Sequence, residues 1–180
     1  LAGITIETSS GLSISLDRGP GGPSARRRTR DGNEFTWTVT GASRGIGAAI
    51  ADTLARDGAE VVGLDIPQAE ADLKAVTEAI GGRSIAVDIT AEDAPEKIAA
   101  ELADGVDVVV HTAGVTKDRT IAKMPEERWT QLMEINLSSE ERIDEALLAK
   151  KLLRPNGRIV CVSSMSGIAG NGGQTNYAAS

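Results

Sequence analysis

From residue 34 onward, short apolar runs alternate with segments whose apolar positions recur every three or four residues. The first pattern belongs to strands and the second to helices. Phe35 to Val39 is β-branched and aromatic and predicts a strand. A glycine-rich turn follows, then a helix from Gly45 to Asp57, with Gly58 as its stop. Glu60 to Leu64 predicts a second strand. Helical spacing at Ala71, Ala75, Val76 and Ile80 predicts a helix over 68–80, ended by Gly81 and Gly82. Ser84 to Val87 reads as a third strand, and residues 91–103 as a helix with Ile98 and Leu102 on one face. Val106 to Val110 is nearly all valine, as in a strand buried on both faces. Residues 125–152 are predicted mostly helical with a break near Asn136, and Arg158 to Val162 a fifth strand. Strands alternating with helices imply right-handed βαβ units and a parallel sheet, so the fold class is α/β and doubly wound.

Residues 1–33 read differently. Ile4, Ile6, Leu12, Ile14 and Leu16 alternate with polar residues, a weak strand signal, and GPGGPSARRRTRDGN has the composition of a linker. We therefore expect an extension or linker over 1–33, mobile or loosely attached, and a single domain over 34–180. The formal net charge is −7. Residues 1–33 carry five Arg against three acids, so the remainder carries −9. That balance argues against nucleic-acid binding by the main body. The cluster Arg26, Arg27, Arg28 and Arg30 lacks interleaved aromatics and reads as solvated linker. No apolar run reaches the roughly 18 residues of a membrane span, and no secretory signal is visible. A single Cys161 excludes an internal disulfide framework and points to a reducing, cytoplasmic setting. One His and one Cys leave no basis for a zinc site, and no metal is expected.

The candidate chemistry begins in TVTGASRGIGAAIADTLARDGAEVVGLD. Gly41, Gly45 and Gly47 lie between a predicted strand and a predicted helix. Glycines there let the backbone turn sharply, approach a diphosphate, and pack helix closely on strand. The helix N-terminus offers unpaired N–H groups and the positive end of its dipole to phosphates. Asp65 follows Gly47 by 18 residues, near the spacing of the acid that binds the adenosine ribose. A carboxylate there repels a 2′-phosphate, while Arg44 within the turn would attract one. The carboxylate weighs more, so NAD(H) is expected to be preferred over NADP(H).

The spacing Gly41-x3-Gly45-x-Gly47 in TGASRGIG resembles the short-chain dehydrogenase/reductase family. So do VDIT with Asp88, HTAG from His111 to Gly114, and the segment RIVCVSSMSGIAGNGGQTNYAAS. The last, with GVTKDRT and MEINLSS, is similar to the 3-oxoacyl-[acyl-carrier-protein] reductases of fatty-acid synthesis, most of all a large NADH-using bacterial type. The resemblance covers about residues 38–180. It implies a Rossmann sheet in the order 3-2-1-4-5, lacking the family's last strands and helices, and reduction of a 3-oxoacyl thioester by hydride transfer from NAD(P)H. It implies a partner acyl thioester on acyl carrier protein or coenzyme A, and homo-oligomers for full-length members. Other readings are an alcohol or sugar dehydrogenase of the same family, or a non-catalytic dinucleotide-binding fragment.

By the resemblance, Tyr177 matches the proton donor, Ser164 the serine that hydrogen-bonds the substrate carbonyl, and Asn136 the asparagine that supports the proton relay. Gly41, Arg44, Gly45, Ile46, Gly47, Asp65, Asp88, Ile89 and Gly114 match the cofactor site. A free phenol has a pKa of about 10 and must be tuned toward neutrality to act in both directions. In the family a lysine one helical turn after the tyrosine does this, at the position following Ser180. We therefore expect the 180-residue chain to be catalytically silent or nearly so. A helix nucleus as short as the one beginning near Tyr177 is not stable alone, so Tyr177 is expected to be disordered. Taken singly, Ser163 and Ser164 read as a strand end, Asn136 as a helix interruption and Tyr177 as a surface aromatic; their joint order and spacing carry the assignment. Two departures stand out. Thr112 replaces the family's usual Asn, with an expected loss of the tie between strands, and Trp37 is large for a central strand.

Overall fold

The computed structural model describes residues 4–7, 13–16 and 35–180. Strands β1 (Ile4–Glu7) and β2 (Ser13–Leu16) pair antiparallel, Ile4 opposite Leu16 and Ile6 opposite Ile14. The linker composition after Leu16 and the Arg26–Arg30 cluster lie outside the described residues.

The remaining strands are β3 (Thr36–Thr40), β4 (Glu60–Asp65), β5 (Arg83–Ala86), β6 (Val106–His111) and β7 (Leu153–Cys161). All their pairings are parallel, in the order β5-β4-β3-β6-β7. This is the 3-2-1-4-5 order expected from the sequence. The chain steps outward from β3 to β5 and then returns to the other side of β3 as β6. The gap between β3 and β6 is thus the topological switch point, where the strand ends leave a crevice.

Helices cover both faces. On one lie α1 (Gly45–Arg56) and α2 (Glu70–Ala79), and on the other α3 (Ala94–Glu101) and α5 (Ser139–Ala149). The pleat sorts the apolar residues between them. Val39, Val61, Val108 and Val110 pack with Ala51 and Leu73, whereas Val62, Leu64, Val106 and Val109 pack with Ile98, Leu102, Ile143 and Leu147. Each fully buried side chain of this kind contributes about 1.5–3 kcal/mol, so burial on both faces holds the inner strands β3, β4 and β6, whereas the edge strand β7 is mostly exposed.

Several expectations are refined. The predicted helix over 68–80 is a single 3₁₀ turn, Pro67–Ala69, followed by α2. The break expected near Asn136 is a widened turn rather than a gap. A π-helical segment, Glu134–Ser138, joins α4 (Glu126–Met133) to α5, and the Ser139 N–H reaches back to the Glu134 carbonyl. β7 starts five residues before the expected Arg158, because a bulge sets five positions on β7 against two on β6 between the Val106–Leu153 and Val108–Arg158 pairs. The "nearly all valine" strand hides a buried Asp107, whose Oδ2 accepts from the Thr36 N–H at 2.8 Å and from Arg154 at 2.6 Å. Trp37 is accommodated half-buried, edge-on to Phe35 at 5.8 Å, with its Nε1 buried and unpartnered. No helix among the described residues is long and apolar enough to cross a membrane.

Candidate active site

Parallel strands end at one edge of the sheet, and the sequence-predicted residues gather there. Gly41 follows β3, Asp65 ends β4, Asp88 and Ile89 follow β5, Gly114 follows β6, and Ser164 follows β7. The glycine turn has the geometry its sequence suggested. Gly41 and Gly45 adopt φ of +67° and +58°, the left-handed region in which a Cβ is disfavoured. Gly47 is demanded by packing instead, since a Cβ there would stand 2.2 Å from the Gly41 carbonyl oxygen. A Cβ at Gly45 would meet nothing within 4 Å, so open space lies over the start of α1. That helix has no side-chain cap and no acid in its first turn. Unpaired N–H groups facing open space beside a sharp turn fit a diphosphate. The exposed Arg44 and Ile46 border this opening.

Asp65 is half-buried and locked across the turn. Its Oδ2 accepts from the Ser43 N–H at 3.0 Å and its Oδ1 from the Ile66 N–H at 2.8 Å. Each oxygen keeps a second acceptor site, so the carboxylate remains able to receive a ribose hydroxyl. Asp88 is exposed and accepts from the Thr90 N–H and hydroxyl at 3.0 and 2.7 Å. Ile89, by contrast, is buried in the core, so only its backbone is available at the crevice.

Across the switch point, two threonines make the tie expected to be weakened. The Thr40 hydroxyl accepts from the N–H groups of Thr112 and Ala113 at 3.0 and 3.1 Å, and the Thr112 hydroxyl donates to the Thr40 carbonyl. Thr112 therefore links β6 to β3 despite lacking an amide. Sequence reasoning missed Thr40 and Ser43; the period-2 alternation of Thr36, Thr38 and Thr40 was the available signal.

The second group of residues is brought together by three short segments. The Asn136 side chain brackets the Val115 backbone, its Oδ1 accepting from the N–H at 2.9 Å and its Nδ2 donating to the carbonyl at 3.1 Å. The same Nδ2 donates to the Ser180 hydroxyl at 3.2 Å. Ser164 caps α6 (Met165–Ala169) by accepting from the Ser166 N–H at 3.1 Å. α6 packs against α7 (Thr175–Ala179), which carries Tyr177, and the Ser166 hydroxyl donates to Gln174 Oε1 at 3.2 Å. The disorder expected of Tyr177 is not what the structure has: the residue is half-buried within a helical turn. Tertiary contacts from α4, α6 and Asn136 hold a helix too short to stand alone. Among the described residues no cluster of His, Cys, Asp and Glu has the arrangement of a metal site.

Behind the site sits a polar group whose members the sequence did not link, and in which Cys161 is exposed rather than the buried inert thiol its apolar run suggested. His111 is fully buried, with Nε2 2.9 Å from Asp144 Oδ1 and Nδ1 unpartnered. Its strand partner Cys161 and the α5 residue Glu140 adjoin it. Burial holds the Glu140 carboxyl above its usual range, opposed by the His111 charge and a hydrogen bond with Cys161. The Cys161 residue is exposed overall, yet partial burial of its thiol, then the Glu140 charge, push it up to about 11.

The family model described as short chain dehydrogenase matches residues 36–180. The 3-oxoacyl-[acyl-carrier-protein] reductase FabG of Escherichia coli (strain K12) is 42% identical over 147 residues, covering 78% of this chain and 59% of that protein. This chain therefore spans less than two thirds of the relative's length. Among solved structures, the oxidoreductase yciK of E. coli superposes with a TM-score of 0.74 at 29% identity, covering 82% of this chain and 64% of that one. A short chain dehydrogenase from Shigella flexneri 2a str. 301 complexed with NADP gives 0.74 and 29%, covering 82% and 66%. With the glycine turn, the switch-point sheet and a family match over 36–180 in agreement, the chain belongs to the short chain dehydrogenase family.

Proposed function

We propose that the protein reduces a 3-oxoacyl thioester, carried on acyl carrier protein or coenzyme A, to its 3-hydroxyacyl form. The observation that carries this reading is the convergence of two arrangements on one edge of the sheet. An uncapped helix N-terminus with its glycine turn lies at the end of β3, and Asn136, Ser164 and the Tyr177 helix lie about the ends of β6 and β7. The name of the E. coli relative supports the substrate class.

A reduced nicotinamide supplies the hydride when bound. Gly41, Arg44, Gly45, Ile46, Gly47 and Asp65 would hold the dinucleotide at the β3 and β4 ends, with Asp88, Ile89 and Gly114 toward its adenine and ribose parts. The Ser164 hydroxyl oxygen already accepts from Ser166, which leaves its own O–H free to donate to the substrate carbonyl. Tyr177 delivers the proton to that oxygen. Asn136 ties the loop after Gly114 to the end of α7, which places it to support the proton relay.

NAD(H) is the preferred cofactor in this reading, because the Asp65 carboxylate, held by the Ser43 and Ile66 N–H groups, would repel a 2′-phosphate. The NADP of the Shigella relative is a property of that protein. Titration with NADH and NADPH tests the preference: tighter NADH binding is expected, and Asp65→Ala should narrow the difference. Equal or tighter NADPH binding would mean that Arg44 dominates. The activity is tested with an acetoacetyl thioester on a chain extended beyond Ser180, beside the 180-residue chain, in which turnover is expected to be absent or nearly so; the substitutions are read in the extended chain. Tyr177→Phe and Ser164→Ala should each lower turnover about a hundredfold or more with dinucleotide binding retained, and turnover surviving both changes would sink the assignment.

A further inference from the structure

Asn176 is the only buried residue after Leu147, and it is polar. Its side chain is fully enclosed beside Tyr177, in a five-residue helix that cannot hold itself. One amide makes three contacts. Nδ2 donates to the carbonyls of Lys117 at 3.3 Å and Arg128 at 3.4 Å, and Oδ1 accepts from the Tyr177 N–H at 2.9 Å. The first two bonds are long and individually weak, but they run to different elements: the loop after Gly114, and α4. The third satisfies a donor in the first turn of α7 that has no intrahelical partner. An apolar anchor would fix how far α7 lies from its neighbours. A hydrogen-bonded amide also fixes its rotation, because each bond is directional.

We propose that Asn176 is the positioning residue of the active site, setting the place and rotation of Tyr177 over the crevice through the Lys117 and Arg128 carbonyls. This rests on the reading of Tyr177 as proton donor. Replacing the amide with a carboxylate would set oxygen against two carbonyl oxygens and expel the side chain, and α7 with it. Replacing it with alanine would leave both carbonyls without this donor. Neither core cluster includes a residue beyond Leu153, so the sheet should survive either change.

The chain contains one tyrosine, so biosynthetic 3-fluorotyrosine places a single ¹⁹F label at residue 177. In the wild type the resonance should be displaced from its position in the denatured chain. In Asn176→Asp and Asn176→Ala it should narrow and move toward that position, while the cooperative melt persists. In the chain extended beyond Ser180, turnover of an acetoacetyl thioester should fall about tenfold to a hundredfold, in kcat rather than in the KM for dinucleotide. A resonance that stays in place in both variants overturns the proposal. So does loss of the cooperative melt in both, since Asn176 would then serve the fold at large. If Tyr177→Phe leaves turnover intact, the functional reading fails, and the ¹⁹F spectra still decide whether Asn176 anchors α7.

Discussion

At the scale of single residues, the polar group behind the site makes the most direct prediction. Glu140 faces Asp144 along its own helix, His111 from β6 and Cys161 from β7. With its thiol pushed up to about 11, Cys161 is expected to react with iodoacetamide at pH 8 roughly tenfold more slowly than a free cysteine. The greater intrinsic nucleophilicity of a high-pKa thiolate offsets part of its scarcity. Removing the neighbouring charge by Glu140→Gln should speed the reaction, and an unchanged rate would mean burial acts alone. The same substitution tests stability. A carboxyl held above its ordinary range binds its proton more tightly folded than unfolded, so the folded state is favoured below the unfolded pKa and loses that advantage as pH rises through the folded one. Glu140→Gln is therefore expected to raise the melting temperature at pH 7 and to lose that benefit in acid, below the ordinary carboxylate range.

At the scale of elements, the junction of β3 with α1 carries a sharper constraint than glycine content alone suggests. Gly47→Ala would drive a Cβ to 2.2 Å from the Gly41 carbonyl oxygen and 2.8 Å from the Thr112 hydroxyl oxygen. Backbone cannot yield there without lifting α1 from the strand, so a loss of about 2–3 kcal/mol is expected, with dinucleotide binding lost as well. Urea denaturation and cofactor titration would check both. At the opposite end of the strands, Asp107 joins β6 to β3 through Thr36 and to β7 through Arg154. Asp107→Ala should cost roughly 3 kcal/mol, the low end for removing one partner of a buried ion pair. It leaves the Arg154 charge without that carboxylate. Because this pair lies at the sheet edge remote from the glycine turn, cofactor affinity should change little.

At the scale of the whole molecule, both core clusters are built from residues between Phe35 and Leu153 among those described. We propose a domain boundary near residue 33, and expect residues 34–180 alone to melt cooperatively at nearly the temperature of the full chain. A fall of more than about 4 °C, the upper end of what roughly 1 kcal/mol produces in a domain of about 150 residues, would show that residues 1–33 contribute to the fold.

The sequence by itself determined the strand–helix alternation and the position of the glycine turn. Both rest on local physics: side-chain periodicity of 2 or 3.6, and backbone conformations that only glycine adopts without strain. The order of the Asn136, Ser164 and Tyr177 segments was equally legible, because spacing along the chain is a sequence property. Only the tertiary structure decided the rest. It found a place for Asp107 inside a valine strand, since Arg154 comes from 47 positions away. It let Thr112 keep the tie between strands, since the matching Thr40 sits 72 positions earlier. It also held the Tyr177 helix in place through Asn176, whose acceptors lie 59 and 48 positions back. Local propensity sets which segments can form, whereas a buried polar side chain is stable only where distant parts of the chain deliver its partner.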